Sequence, residues 1–492
     1  MTSDKYLKIM AGPLLFFVTL MLPVFGPVEA RIGFGILFWM VYWWVTAAVD
    51  MKVTCLVPII VVAFYPFVGR EDILKLYMHK DLFLIMGASL LTCAWVRWGL
   101  AKRVALGVLS RLNNNTRLQA VGWFLLCGFV SFFLGNTPVG AIFAPIAVAA
   151  LLYAGYKTFQ QRYDSKAASN ILIAVAWGAS IGGMTTPLGG GQAMVTWSFL
   201  TDYLGQEVFF LDWTLRMLPV SILVMTAVAL FIYFVMKPDP EEEFFKGSRE
   251  FYREELKEMG PMGFEEKLCG YGFLLIVILA ITRVFYADYV GGEAWAWLHP
   301  SHMFFIFAVL LFIIPSIKEK GETLLSVPSV VSSFPVAILF IWPGAVALGR
   351  VLKETGASAV FGTWIHPMID AGTIPAILAV SVGSTMLSQF VTDTAAAGIL
   401  IPLVIEAFNN WDGLEYGAVA WVWIAGAALS WSFAIVSATG AQAIAAGFGA
   451  NIKRMFVYGM MIAVLTSVIT TLYFIVTIGI LKLDFYILPP GM

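Results

Sequence analysis

Ser131-Phe-Phe-Leu-Gly-Asn-Thr-Pro138 and Ser388-Gln-Phe-Val-Thr-Asp-Thr-Ala395 lie 257 residues apart and share one spacing: a serine, three residues, then a polar triplet ending in threonine. Outward from them, the same offset relates Gly87 to Gly344, Gly99 to Gly356 and Pro145 to Pro402. Further on, Trp177 and Ile181 pair with Trp431 and Ile435 after a slip of three residues. Five identities at one offset over almost sixty residues mark a tandem duplication. No residue from Leu118 to Tyr156 is charged, and from Ala371 to Ile401 only Asp393 is. Gly135-Asn-Thr-Pro and Thr392-Asp-Thr therefore interrupt helices at membrane depth, where broken backbone is tolerated only if it lines a cavity. Helices starting at Pro138 and Ala395 would aim positive dipole ends at that cavity. The pattern reads as a site at two hairpin tips for an anion, with cations beside it.

The surroundings set the class. Of 492 residues, 60% are hydrophobic and 12% charged, with a mean hydropathy of +0.85; a soluble globular chain carries about 25% charged residues. A soluble enzyme, a nucleic-acid binder and a disordered chain are all poor fits. The expected fold is an all-α polytopic membrane protein. Candidate spans fall near 7–27, 32–50, 53–69, 81–97, 119–134, 170–200, 213–236, 268–287, 302–316, 334–350, 371–391, 417–448 and 454–482, with shorter apolar runs at 137–156 and 395–408. The run from Leu7 to Pro27 has no clear cleavage site after it and reads as a retained first helix. Cys55, Cys93, Cys127 and Cys269, without C-x-x-C spacing, read as small apolar core residues.

A polar insert at 237–267, with Glu241-Glu-Glu243, splits the chain near its middle and reads as a solvated cytoplasmic linker. With the N-terminus in the cytoplasm and the hairpins 119–156 and 376–408 re-entrant, 21 of the 30 Lys and Arg fall inside, as the positive-inside rule asks. The outside loops 201–212 and 409–416 (with Asp412 and Glu415) hold no basic residue. Eleven full crossings then turn the two halves to opposite sides, which makes the repeat inverted.

Three features carry chemistry. Asp393, a carboxylate near the bilayer centre, costs about 2.5–3.5 kcal/mol even on the lenient insertion scale and so needs a partner, a proton or a cation. Gly178-Ala-Ser-Ile-Gly-Gly-Met-Thr-Thr-Pro-Leu-Gly-Gly-Gly191 is too rich in Gly, Thr and Pro to stay helical. Ser432-Phe-Ala-Ile-Val-Ser-Ala-Thr-Gly-Ala-Gln442 is its weaker counterpart. Unwinding would free carbonyls near Thr185–Pro187 and Thr439–Ala441 for a cation such as Na⁺. The plainer reading of these glycines is close helix packing, and that of a single buried Asn or Thr is a bond to a neighbouring helix. The symmetric placement of both clusters favours a site.

At these residues the sequence resembles the divalent anion:sodium symporter family. Trp43-Trp-Val-Thr-Ala-Ala-Val-Asp-Met-Lys-Val-Thr-Cys-Leu-Val-Pro58 is similar to that family's W-x-T-E-A-I-P-L-x-V-T-x-L-L-P, and the tips sit where it has paired Ser-Asn-Thr motifs. Ile338-Leu-Phe-Ile-Trp-Pro-Gly344 through Thr355-Gly356 is similar to the start of its second half. The resemblance implies an elevator-type transporter with inverted repeats, eleven transmembrane helices and two re-entrant hairpins. It implies a multi-pass homodimer in the cell membrane that carries a small anion, such as a di- or tricarboxylate, with Na⁺. The implied divisions are 1–118 and 268–370 as scaffold, and 119–236 and 371–492 as transport parts. The stretches 98–117 and 349–366 would be arms between them. Substrate contacts would be Asn136, Thr137, Thr186, Asp393 and Thr394. Cation contacts would be Ser131, Asn136, Gly182 and Thr185 in one half, and Ser388, Asp393 and Thr439 in the other.

The departures bear on charge. Gly135 and Thr392 stand for the family's Ser, and Asp393 stands for its Asn. An added carboxylate repels a dianion by about 4 kcal/mol at 4 Å and an effective dielectric near 20. Either a cation or proton neutralises it, or the substrate carries less charge. A Na⁺-independent anion exchanger and a cation/proton antiporter built on Asp393 are the alternatives. Enzyme chemistry finds no nucleophile–base set and no phosphate loop. The histidines His79, His299, His302 and His366 lie in loops or near span ends and read as structural.

Overall fold

The computed structural model describes residues 3–65, 68–243, 247–287, 289–290, 293–409 and 417–487. Asp412 and Glu415 of the expected outside loop lie outside them. Every named element among the described residues is a helix. Six are long and apolar enough to cross a membrane: Val28–Thr46, Asn136–Tyr153, Phe210–Phe234, Phe264–Tyr286, Thr373–Phe390 and Ile452–Ile480. A seventh forms if Arg70–Arg97 and Leu100–Leu109, bent by 69° at their junction, count as one span. Other apolar runs give shorter helices, among them Met51–Phe64, Thr116–Val130, Pro300–Leu310 and Ala418–Leu429. The chain is a polytopic helical membrane protein.

The duplicated positions do the same local work in both halves. Gly99 and Gly356 have φ of 79° and 72°, a left-handed backbone that only glycine adopts freely. Each ends one helix, Lys80–Arg97 or Ile338–Glu354, and turns the chain into the next, Leu100–Leu109 or Ala357–Ile369. The second of these helices starts later than the expected arm at 349–366, because Gly349 continues the preceding helix. Pro145 and Pro402 both sit inside the second helix of a repeated pair. The first pair is Thr116–Val130 with Asn136–Tyr153; the second is Thr373–Phe390 with Asp393–Asn409.

Lys166–Gly182 and Ala418–Leu429 form the centre: every described side chain from Ala167 to Gly182 and from Ala418 to Leu429 is buried, with Ser169, Asn170 and Ser180 of the first helix hydrogen-bonded there. Small residues let the first of these approach closely. A Cβ on Gly178 would strike the Phe124 backbone, and one on Gly182 the Gly128 backbone. The four cysteines are free and buried.

The insert at 237–267 is docked rather than merely solvated. Its helix Ser248–Glu258 buries Tyr252 completely, and Trp123 Nε1 donates to the Tyr252 hydroxyl at 3.3 Å. Lys102 pairs with Glu255, and Arg103 with Glu266 at 2.9 Å. An apolar ring in a charged helix was the signal for this docking. His79 and His299 accept bonds from Asp81 N (3.4 Å) and Ser301 N (3.3 Å), so each caps a helix N-terminus. The side chain of His366 lies outside those described.

Candidate functional site

Both expected helical runs break. The first splits into Lys166–Gly182 and Gly191–Leu204, leaving 183–190 non-helical. The second splits into Ala418–Leu429 and Gly440–Gly447, with the break at 430–439. That break falls upstream of the expected Thr439–Ala441, because Thr439 and Gln442 form a capping box that starts the helix at Gly440. In it the Thr439 hydroxyl accepts from Gln442 N at 3.3 Å, and Thr439 N donates to Gln442 Oε1 at 3.2 Å, the reciprocal pattern that satisfies two end donors.

Each tip is pinned to the break of its own half. Asn136 N donates to the Gly189 carbonyl at 3.1 Å, and Asp393 N to the Ala438 carbonyl at 3.3 Å. Each also packs on the break of the other half. Gly440 lies against Thr137 and Gly191 against Thr394, so closely that a Cβ on either glycine would collide with the threonine side chain. The four segments interlock, and the two residues at equivalent repeat positions meet: Asn136 Nδ2 donates to Asp393 Oδ2 at 3.0 Å.

Their other oxygens do matching work. Asn136 Oδ1 accepts from Thr137 N at 2.7 Å, and Asp393 Oδ1 from Thr394 N at 2.6 Å. The Thr137 and Thr394 hydroxyls approach the same oxygens at 3.4 and 3.2 Å. The departure of Thr392 from Gly135 also has a local cause. Ala395 has an N–H, which donates to Thr392 Oγ1 at 3.3 Å; its counterpart Pro138 has none to satisfy.

A cavity of about 440 Å³ opens on these tips. Asn136, Thr137, Asp393, Thr394 and Thr439 line it. Asn136, Asp393 and Thr394 are buried, at 8%, 5% and 6% exposure. Thr186 is brought near but not onto the wall: it is buried and its hydroxyl donates to the Phe132 carbonyl. Behind the first tip, Ser131 Oγ donates to Ala179 O at 2.6 Å, and the Gly182 carbonyl accepts from Thr185 N at 3.1 Å. The Thr185 hydroxyl, fully buried, has no hydrogen-bond partner, a cost that a bound ion or water would relieve. Behind the second tip, Ser388 Oγ donates to Thr385 O at 2.9 Å, and the Thr439 hydroxyl meets Ser180 Oγ at 3.2 Å.

Sequence reasoning missed two groups. Gln389 stitches the second break: its Oε1 accepts from Phe433 N (3.0 Å) and Ala434 N (3.2 Å), and its Nε2 donates to the Trp431 carbonyl. A lone amide next to Ser388 in an uncharged run was the available signal. Asp50 and Lys52 also line the cavity; the sequence places both inside the Trp43–Pro58 stretch and counts Lys52 among the cytoplasmic basic residues, but marks neither as a site residue. Among the described residues no group of three or more His, Cys, Asp and Glu could hold a metal. A cation here would be held by hydroxyl, amide and carbonyl oxygens with at most one or two carboxylates, a hard-donor set suited to Na⁺ rather than a transition metal.

Apolar helices around a small cavity, with two repeated polar tips in its wall, define a membrane transporter of small solutes. The sodium:sulfate symporter transmembrane-region family model matches residues 3–481. The chain belongs to that family: it is a sodium-coupled anion symporter, a transporter and not an enzyme. It is 28% identical over 408 residues to the sodium-dependent dicarboxylate transporter SdcS of Staphylococcus saprophyticus, covering 80% of this chain and 76% of that one. It is 24% identical over 479 residues to SdcS of Staphylococcus aureus strain bovine RF122, covering 96% of this chain and 91% of the relative.

Proposed function

We propose that this symporter carries a small dicarboxylate across the cell membrane together with Na⁺. The observation that carries the reading is the meeting of Asn136 and Asp393 at the wall of the cavity, beside relatives whose names specify dicarboxylates. Asn136, Thr137, Asp393 and Thr394 contact the substrate, joined by Thr186, which stands beside the cavity-lining Pro187. Na⁺ sits behind the first tip among Ser131, Asn136, Gly182 and Thr185, and behind the second among Ser388, Asp393 and Thr439. Each break holds a buried hydroxyl without a hydrogen-bond partner, Thr185 in the first and Ser432 in the second, so both positions offer an oxygen that a bound ion would satisfy.

The proposed cycle is an elevator movement. Residues 119–236 and 371–492 move against 1–118 and 268–370 in a homodimer with eleven spans, two re-entrant hairpins and a cytoplasmic N-terminus. Bound Na⁺ offsets the Asp393 charge and makes room for a dianion.

The test is uptake of labelled succinate, citrate, sulfate and a monocarboxylate into proteoliposomes, with an inward Na⁺ gradient compared against K⁺. Uptake of succinate that requires Na⁺ is expected. Uptake indifferent to Na⁺ but dependent on internal anion would replace the reading with exchange. No anion uptake would leave Asp393 as the centre of a cation antiporter.

A second expectation concerns Thr185→Val. The change is nearly isosteric and removes a buried hydroxyl that bonds nothing, so the Na⁺-free protein should be no less stable and up to about 1 kcal/mol more so. The rise in Tm that Na⁺ gives the wild type by mass action should shrink. A full Na⁺ response in thermal melts of the variant would remove Thr185 from the ion site.

A further inference from the structure

The charged residues lining the cavity, among those described, are Asp50, Lys52 and Asp393. Two carboxylates and one ammonium give a wall that is net negative, an unfavourable setting for an anion. We propose that Lys52 is the counter-charge of the transported anion, released to it by Asp50, and that it sets the preference for a dianion over a monoanion. This rests on the anion-symport reading above and adds a residue to that site.

The geometry supports such a hand-over. Asp50 caps the short helix Met51–Thr54: its Oδ1 accepts from Lys52 N at 2.9 Å, which holds the carboxylate in place. Its Oδ2 lies 3.0 Å from Lys52 Nζ. The two side chains are 43% (Lys52) and 52% (Asp50) exposed. An ion pair that open to water contributes little, so the lysine can change partner at small cost while its main chain stays anchored. The flexible four-carbon stem gives the ammonium reach, and its compact charge pairs with a carboxylate without demanding one geometry. At the tips, by contrast, Asn136 and Asp393 N–H groups are already taken by Gly189 and Ala438. The tips thus offer amide and hydroxyl groups and a dipole, but no full positive charge.

The experiment measures succinate and monocarboxylate uptake by wild type, Lys52→Gln, Lys52→Arg and Asp50→Asn under a fixed inward Na⁺ gradient. Lys52→Gln is expected to raise the KM for succinate about tenfold, the loss of one charge-assisted contact, with its maximal rate little changed and its preference over the monocarboxylate reduced. Lys52→Arg, which keeps the charge, should restore most of the affinity. Asp50→Asn preserves the helix cap while freeing the ammonium, and should lower the KM. An unchanged succinate KM in Lys52→Gln, a loss confined to the maximal rate, or an equal loss in Lys52→Arg overturns the assignment. Wild-type uptake that ignores Na⁺ or takes up no anion overturns the symport reading instead, and is seen before any variant is compared.

Discussion

Uptake by an Asp393→Asn variant is expected to need at least about tenfold more Na⁺ for its half-maximal rate, equivalent to about 1.4 kcal/mol, while the order of preference among anions stays as in the wild type. The reasoning starts from what the substitution leaves intact. Asn serves as well as Asp at a helix start, so the bond to Thr394 N survives. The tip then reads Thr-Asn-Thr, closer to its partner Gly-Asn-Thr. One bond is strained: the carboxylate accepts from Asn136 and from Thr394 with separate oxygens, whereas the amide has a single oxygen for both. Losing one such bond costs about 1 kcal/mol, a modest drop in Tm. The large effect is the charge. Removing it takes away an anionic ligand from the cation and also the repulsion of about 4 kcal/mol that a dianion meets at 4 Å. Anion binding should therefore persist, while the half-maximal rate of coupled uptake calls for more Na⁺. An unchanged Na⁺ requirement would exclude Asp393 as an ion ligand; loss of anion binding in a protein that still folds would place it in the anion contact alone.

Much of this site was legible in the sequence because duplication makes position visible. The offset that aligned Asn136 with Asp393 on paper is also the separation of two residues that touch, and Gly99 and Gly356 share one backbone conformation. Breaks were legible too, since Gly, Thr and Pro cannot sustain a helix from Gly178 to Gly191. What stayed hidden depends on partners far along the chain. The exact start of the helix at Gly440 is decided by a reciprocal bond between Thr439 and Gln442. Lys52 faces the cavity only because the chain folds its two repeats onto one centre; its own neighbourhood reads as the end of an apolar run. Tyr252 lies in a charged segment, and nothing local says that Trp123 covers it.

Helix lengths show the same division. Apolar composition places a segment in the membrane but does not say how far it runs before a cap or a glycine stops it. Thr116–Val130 and Ala418–Leu429 are shorter than a bilayer crossing, which needs about 20 residues. Both belong to segments that end at the cavity, where the tips and breaks interrupt the helices.

The second large effect is expected at Gly178, and its sign distinguishes packing from propensity. In a helix interior, Ala in place of Gly ordinarily stabilises by about 0.5–1 kcal/mol. Gly383→Ala, inside Thr373–Phe390 with nothing within 4 Å of the added methyl, should follow that rule and leave Tm equal or higher. Gly178→Ala should do the reverse, because its methyl meets the carbonyl oxygen of Phe124, and backbone cannot swing aside as a side chain can. Gly178→Leu should cost about 3 kcal/mol or more and lower the yield of folded protein. The damage should also reach transport. Lys166–Gly182 runs directly into the break that carries Thr185 and Gly189, and Gly189 holds the Asn136 amide. Pushing that helix off Thr116–Val130 moves the break relative to the tip, so the folded fraction of Gly178→Ala should show a higher KM for Na⁺ as well as a lower Tm. If Gly178→Ala and Gly383→Ala raise Tm alike, the close approach of the two helices does not hold the break against the tip.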